Sequence, residues 1–82
     1  MIKLNLDQKN DVLYVAFSDM KKSYGDEIQN GVVVFYDIDD DSVTGVTIFD
    51  FMERYKNKRL EELKIPCEID FRRDVYPKLQ LQ

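Results

Sequence analysis

The sequence predicts an α+β domain: a small antiparallel β-meander of about four to five strands, one helix packed on it, and a C-terminal strand. Three observations predict it. Val12–Phe17, Val32–Ile38 and Val43–Phe49 are runs of β-forming residues divided by turn formers. The spacing of apolar residues then changes at Asp50 from strand-like to helix-like. The links between strands are short, which makes neighbours antiparallel, because a parallel link needs a crossover of about a dozen residues or more.

Each element has its own signal. Ile2, Leu4 and Leu6 alternate with Lys3, Asn5 and Asp7, the pattern of a half-buried strand. Gln8–Asp11 reads as a turn. Val12–Phe17 is apolar on both faces and reads as a central strand. Met20–Gly25 is expected to be a polar loop and Asp26–Gln29 a short strand, followed by the hairpin or bulge signal Asn30-Gly31. Asp39–Ser42 turns the chain between the next two strands. Tyr14, Val34 and Ile48 are expected in the core.

Asp50 and Glu53 fit a capping box that opens a helix over residues 51–65. Phe51, Met52, Tyr55, Leu60 and Leu63 would form its buried side. Pro66 ends it, because proline disfavours helical geometry at Ile65. Cys67, Ile69 and Phe71 alternate with charged residues and read as a strand, and Leu79 and Leu81 repeat the alternation in the tail.

The 82 residues form one domain: meander 1–50, helix 51–65, strand and tail 66–82. A chain of this length buries only about 60–65% of its unfolded surface, so its core is marginal. With one cysteine and no histidine, neither a disulfide within the chain nor a Cys/His zinc site supplements it, which leaves self-association, a homodimer, as the natural aid. The opening residues lack the apolar stretch of a signal peptide, and no run approaches the ~20 residues of a membrane span. The expected setting is the cytoplasm, away from membranes.

Net charge is −4 and unevenly spread: residues 1–50 carry ten acids and four lysines, residues 51–82 eight bases and six acids. An acidic front half repels phosphate backbones, so direct nucleic-acid binding is disfavoured and a basic protein partner is favoured.

Asp11-Val12-Leu13-Tyr14-Val15, Gly31-Val32-Val33-Val34-Phe35-Tyr36-Asp37 and Val43-Thr44-Gly45-Val46-Thr47-Ile48 together resemble the bacterial domain of unknown function 2283 family, over roughly residues 1–52. The Asp37–Ser42 hairpin departs from the family pattern in lacking glycine, and the helix and tail extend past the usual family end. The resemblance implies a small, self-associating meander with no active-site residue to carry over. It also implies a kinship of class with antitoxins that sit beside small toxins.

Among constellations, Asp37-x-Asp39-x-Asp41 has the first spacings of a calcium loop. Ser42 stands where such a loop needs glycine and Ile48 where it needs glutamate, so an acidic hairpin tip is the better reading and no metal or other cofactor is expected. Without histidine there is no Ser/His or Cys/His pair, and Cys67 reads as a core residue; no catalytic residue is assigned and the chain is not expected to be an enzyme. Lys56, Lys58 and Arg59 with Arg72 and Arg73 are the one basic concentration, offset by Glu61 and Glu62.

The expected partner-binding residues are Asp37, Asp39, Asp40 and Asp41 in the hairpin and Val75, Tyr76, Leu79 and Leu81 in a tail that the meander does not need for folding. The function this points to is a protein-interaction module, an antitoxin-like binder of a basic protein. A phage-type inhibitor that mimics nucleic acid through the acidic hairpin is the alternative, and a metal-dependent enzyme the third reading.

Overall fold

The computed structural model describes residues 2–67 and 69–81. Five strands, β1 (Lys3–Asp7), β2 (Val12–Ala16), β3 (Ser23–Gln29), β4 (Val32–Asp37) and β5 (Val43–Phe49), form one antiparallel sheet in the order β1-β2-β5-β4-β3. The α+β class and the antiparallel sheet follow the sequence reading, but the path is not a simple meander. β5 turns back to pair with β2, so β2 and β3, neighbours in sequence, are not neighbours in the sheet. β5 is central because its residues Thr44 to Ile48 are all buried, a run that suits a strand with a partner on each side.

Pairing decides β3. Its start, Ser23-Tyr24-Gly25, lies in the stretch expected as loop, but it is aligned with Asp37-Tyr36-Phe35 of β4, and the Tyr24 and Tyr36 rings stack at 5.5 Å. Asn30-Gly31 makes the β3–β4 hairpin, with Gly31 at φ 81 and a bulge between Glu27 and Gln29.

The core lies on one face of the sheet. Leu13 and Val15 of β2, Val32 and Val34 of β4, and Val46 and Ile48 of β5 meet Phe51, Leu60, Phe71, Val75 and Tyr76 from the C-terminal segment. Each fully buried Val, Leu, Ile or Phe contributes roughly 1.5–3 kcal/mol relative to exposure. Val34 and Ile48 are buried as expected; Tyr14 is not, being 44% exposed on the opposite face of the sheet.

The C-terminal segment differs most from expectation. The helix is short, α1 (Phe51–Lys56), and not 51–65. It ends in a Schellman closure: Lys58 takes φ 56, Arg59 N–H donates to the Arg54 carbonyl at 2.8 Å and Lys58 N–H to that of Tyr55 at 3.1 Å. A 3₁₀ turn at Leu60–Glu62 follows and drops Leu60 into the core.

The expected strands at residues 67–71 and 79–81 are absent among the described residues. Asp70 accepts the amides of Arg72 and Arg73 at 3.0 and 3.2 Å and starts a π-helical turn, Phe71–Val75, which runs into a 3₁₀ turn, Pro77–Leu79. Asp70 satisfies amides that a strand would have offered to a neighbour, and Pro77 suits a first helical position. The four-residue spacing of Phe71 and Val75 puts both into the core.

Candidate partner-binding surfaces

The β4–β5 turn is held by its own aspartates. Asp37 Oδ1 accepts the amides of Asp39 at 2.8 Å and Asp40 at 3.4 Å, while Asp40 Oδ1 accepts that of Ser42 at 2.9 Å. Asp41 sits at φ 59, a left-handed geometry that aspartate tolerates better than most side chains, and its N–H donates to the Asp37 carbonyl at 2.9 Å. The Ser42 amide holds the Asp40 carboxyl below the usual carboxylate range, so it stays ionised at neutral pH. The Asp37 and Asp40 carboxylates therefore face turn amides, and among the described residues no three His, Cys, Asp or Glu side chains are grouped to hold a metal ion.

Two residues that the sequence reading passed over complete this end. The Tyr24 hydroxyl donates to Asp41 Oδ1 at 2.7 Å, and that hydrogen bond to a carboxylate raises the tyrosine's pKa. Ile38, inside the aspartate run, is 65% exposed, with its backbone N–H donating to the Lys22 carbonyl at 2.8 Å. Lys22 approaches Asp39 at 3.9 Å with both side chains largely in water, a pair worth little. The sequence reading placed Ile38 at the end of the strand Val32–Ile38, where alternation continues the core-facing series of Val34 and Tyr36; β4 instead ends at Asp37 and leaves Ile38 in the turn.

The tail residues assigned to binding lie elsewhere. Val75 and Tyr76 are buried in the domain's own core. Tyr76 meets Tyr55 edge-on at 4.9 Å, and Leu79 and Leu81 are half-buried against the same cluster. The structure thus does not join the two expected halves of the site: the aspartates form a surface, and the tail completes the fold.

The three arginines of the basic concentration each meet a carboxylate. Arg72 meets Glu61 at 2.7 Å, Arg59 meets Glu62 at 3.7 Å, and Arg73 meets Asp74 at 2.9 Å. Glu61 reaches across to Arg72 because α1 has ended before it. Cys67 is half-buried and its thiol pKa is raised by burial, so it stays protonated and packs against the core. None of the helices among the described residues is long and apolar enough to cross a membrane.

The face of the sheet away from the core is the other distinctive surface. Val12, Tyr14, Val33, Phe35 and Phe49 lie outside the core cluster; Tyr14 and Phe49 are 44% and 43% exposed, Val33 and Phe35 half-buried, and Val12 buried. Two strand glycines keep this face low. A Cβ on Gly25 would come within 2.9 Å of the Phe35 ring, and one on Gly45 within 2.8 Å of the Met20 sulfur, so both larger side chains lie across bare backbone.

Residues 3–51 match the family described as protein of unknown function DUF2283. The chain belongs to the DUF2283 family. The matched span begins with β1 and closes one residue past Asp50, so the DUF2283 portion is the five-stranded sheet and the start of α1. Residues beyond Phe51 lie outside the match and supply the cover of the core face. Searches of curated proteins and of solved structures each returned no match.

Proposed function

We propose that this DUF2283 domain is a protein-interaction module that captures a basic protein, as an antitoxin holds its toxin, through the β4–β5 end of the sheet. The observation that carries the reading is Ile38, 65% exposed in the aspartate turn of Asp37, Asp39, Asp40 and Asp41, with Tyr24 bonded to Asp41. An apolar anchor inside a charged rim is the usual anatomy of a protein interface, the anchor slowing dissociation and the rim accelerating encounter. The same carboxylates repel nucleic-acid phosphates and favour lysine- or arginine-rich surfaces. The reading takes the cytoplasm as the working compartment.

The test is isolation of the domain with its bound protein from its source, identification by mass spectrometry, and binding kinetics with that protein. Asp39→Asn, Asp40→Asn and Asp41→Asn together keep the side-chain oxygens that hold the turn and remove three charges. They are expected to lower the on-rate at least several-fold and to flatten its salt dependence, since exposed charges act over about a Debye length. Ile38→Ser is expected to raise the off-rate instead. A bound protein that is acidic, or rates unmoved by either change, would overturn the reading.

A further inference from the structure

We infer that the open edge of β3 takes an extended segment of the basic partner as an added strand, antiparallel to β3, with basic side chains beside Asp26 and an apolar one beside Gly25. The inference rests on the proposed capture of a basic protein and names how that protein is held. β3 is an outermost strand of the sheet, with β4 on one side and, among the described residues, no strand on the other. Its residues Tyr24, Gly25, Asp26 and Glu27 are exposed in an unbroken run, so both faces of the strand stand in water along with its free edge.

The register shows which backbone groups are free. Ile38 N–H donates to the Lys22 carbonyl at 2.8 Å, one step beyond the aligned residues Ser23 and Asp37. Antiparallel pairs alternate between bonded and non-bonded, so Tyr24–Tyr36 and Asp26–Val34 are the bonded pairs that follow. The N–H and C=O groups of Ser23, Gly25 and Glu27 therefore point away from β4, to the open side. Among the described residues none of them has a backbone partner there. They span about 14 Å of edge, at about 3.4 Å per residue, before the bulge between Glu27 and Gln29 ends the regular ladder. Main-chain groups in such a row supply the affinity when a strand is added to a sheet edge.

Side chains select the occupant. Asp26 stands on the core side of the sheet, aligned with Val34, yet is exposed at the margin. The Tyr24 hydroxyl on that side meets Asp41 at 2.7 Å, so carboxylates lie to either side of the tyrosine and favour lysine or arginine in the added strand. On the other face Gly25 leaves a gap between Ser23 and Glu27, and the Phe35 ring lies across it, 2.9 Å from where a Cβ would stand. An apolar side chain opposite Gly25 rests against that ring. Lys22, the nearest cation in sequence, is drawn to Asp39 at 3.9 Å. The Lys22–Ile38 hydrogen bond joins this edge to the exposed Ile38, which makes the two surfaces continuous. A second copy of the chain is a poor occupant, because β3 against β3 brings the Asp26 and Glu27 carboxylates of both copies together.

The probe is a capped heptapeptide of alternating lysine and valine, compared with two N-methylated forms of the same charge and titrated into the full chain. The unmethylated peptide should shift the Ser23, Gly25 and Glu27 amides saturably, with a dissociation constant below roughly 1 mM, and leave the β1 amides still. With valine opposite Gly25, the valine amides face β3 and the lysine amides face water. N-methylation of the valine amides is therefore expected to weaken binding at least about tenfold, and N-methylation of the lysine amides to leave it within about twofold. Asp26→Lys, a change at an exposed position, should weaken the unmethylated peptide at least several-fold. Equal loss from the two methylations, or shifts confined to Asp37–Ser42, would overturn strand addition and leave the charge-based capture standing. No binding at about 1 mM peptide would also overturn it, as would β3 shifts that follow protein concentration without peptide and so assign the edge to a second copy.

Discussion

The carboxylate of Asp11 accepts the backbone N–H of Met52 at 2.8 Å, across 41 positions of sequence. Its second oxygen accepts that of Glu53 at 3.3 Å, and its carbonyl accepts the N–H of Phe51 at 3.2 Å. The turn between β1 and β2 thus caps the helix that follows β5. Asp50, the residue next to α1, makes no side-chain cap and instead takes φ 56, ψ 44 to swing the chain out of the sheet. Arg54 closes the same corner from the other side, donating to the carbonyls of Phe49 at 2.9 Å and Asn30 at 2.8 Å.

Asp11→Ala removes the cap and places alanine at φ 55, where a Cβ without a polar group is disfavoured. The two effects together are expected to cost about 1.5–4 kcal/mol, from roughly 0.5–2 for a cap and 1–2 for the left-handed backbone. Asp11→Asn keeps an acceptor and a tolerant side chain and should cost under about 1 kcal/mol. Urea denaturation measures both, and faster hydrogen exchange at the Met52 amide in Asp11→Ala locates the effect.

Lys58→Gly should stabilise the domain. Lys58 occupies the left-handed position of the helix-ending motif, where glycine has no Cβ penalty. Set against the greater entropy of glycine in the unfolded chain, the net gain is about 0.5–1 kcal/mol. A melting temperature higher by about 3–6 °C is the expected reading for a domain of this size.

Truncation before Val75 should destabilise the fold. Val75 is fully buried and Tyr76 nearly so, both in the one core that the sheet shares with its C-terminal cover. Phe71→Ala alone should cost about 3–5 kcal/mol by opening a cavity, against a total stability that starts near 5 kcal/mol for small domains. Far-UV circular dichroism with a thermal melt distinguishes this from a dispensable tail, which would leave the melt in place.

Alkaline titration reads the Tyr24–Asp41 contact. The hydrogen bond to Asp41, followed by desolvation and the Asp41 charge, raises the Tyr24 pKa above its ordinary value. A folded-state pKa above the unfolded one contributes stability that is complete below the unfolded pKa and is lost as pH rises through the folded one. Asp41→Asn should therefore bring Tyr24 ionisation to lower pH and trim stability at neutral pH, the difference fading as pH rises through the tyrosine range. Ultraviolet absorbance, with Tyr24→Phe identifying this residue among the five tyrosines, measures the shift.

The sequence by itself determined the strands β2, β4 and β5, the Asn30-Gly31 hairpin, the acidic turn and the antiparallel α+β class. Each rests on local forces: β-branched and aromatic runs, turn chemistry, and links too short for crossovers. Only the tertiary structure decided the strand order, the left-handed Asp50, the cap supplied by Asp11, and the fate of the tail. Those depend on contacts between distant residues, and local pattern carries no information about them. Cys67, Ile69 and Phe71 alternate as a strand would, yet Asp70 and the Phe71–Val75 spacing turn that segment into helical turns, because the core face of the sheet needed covering and its edges did not. Tyr14 shows the same limit from the other side: its strand is apolar on both faces, and only the path of the chain beyond Phe51 decided which face was covered.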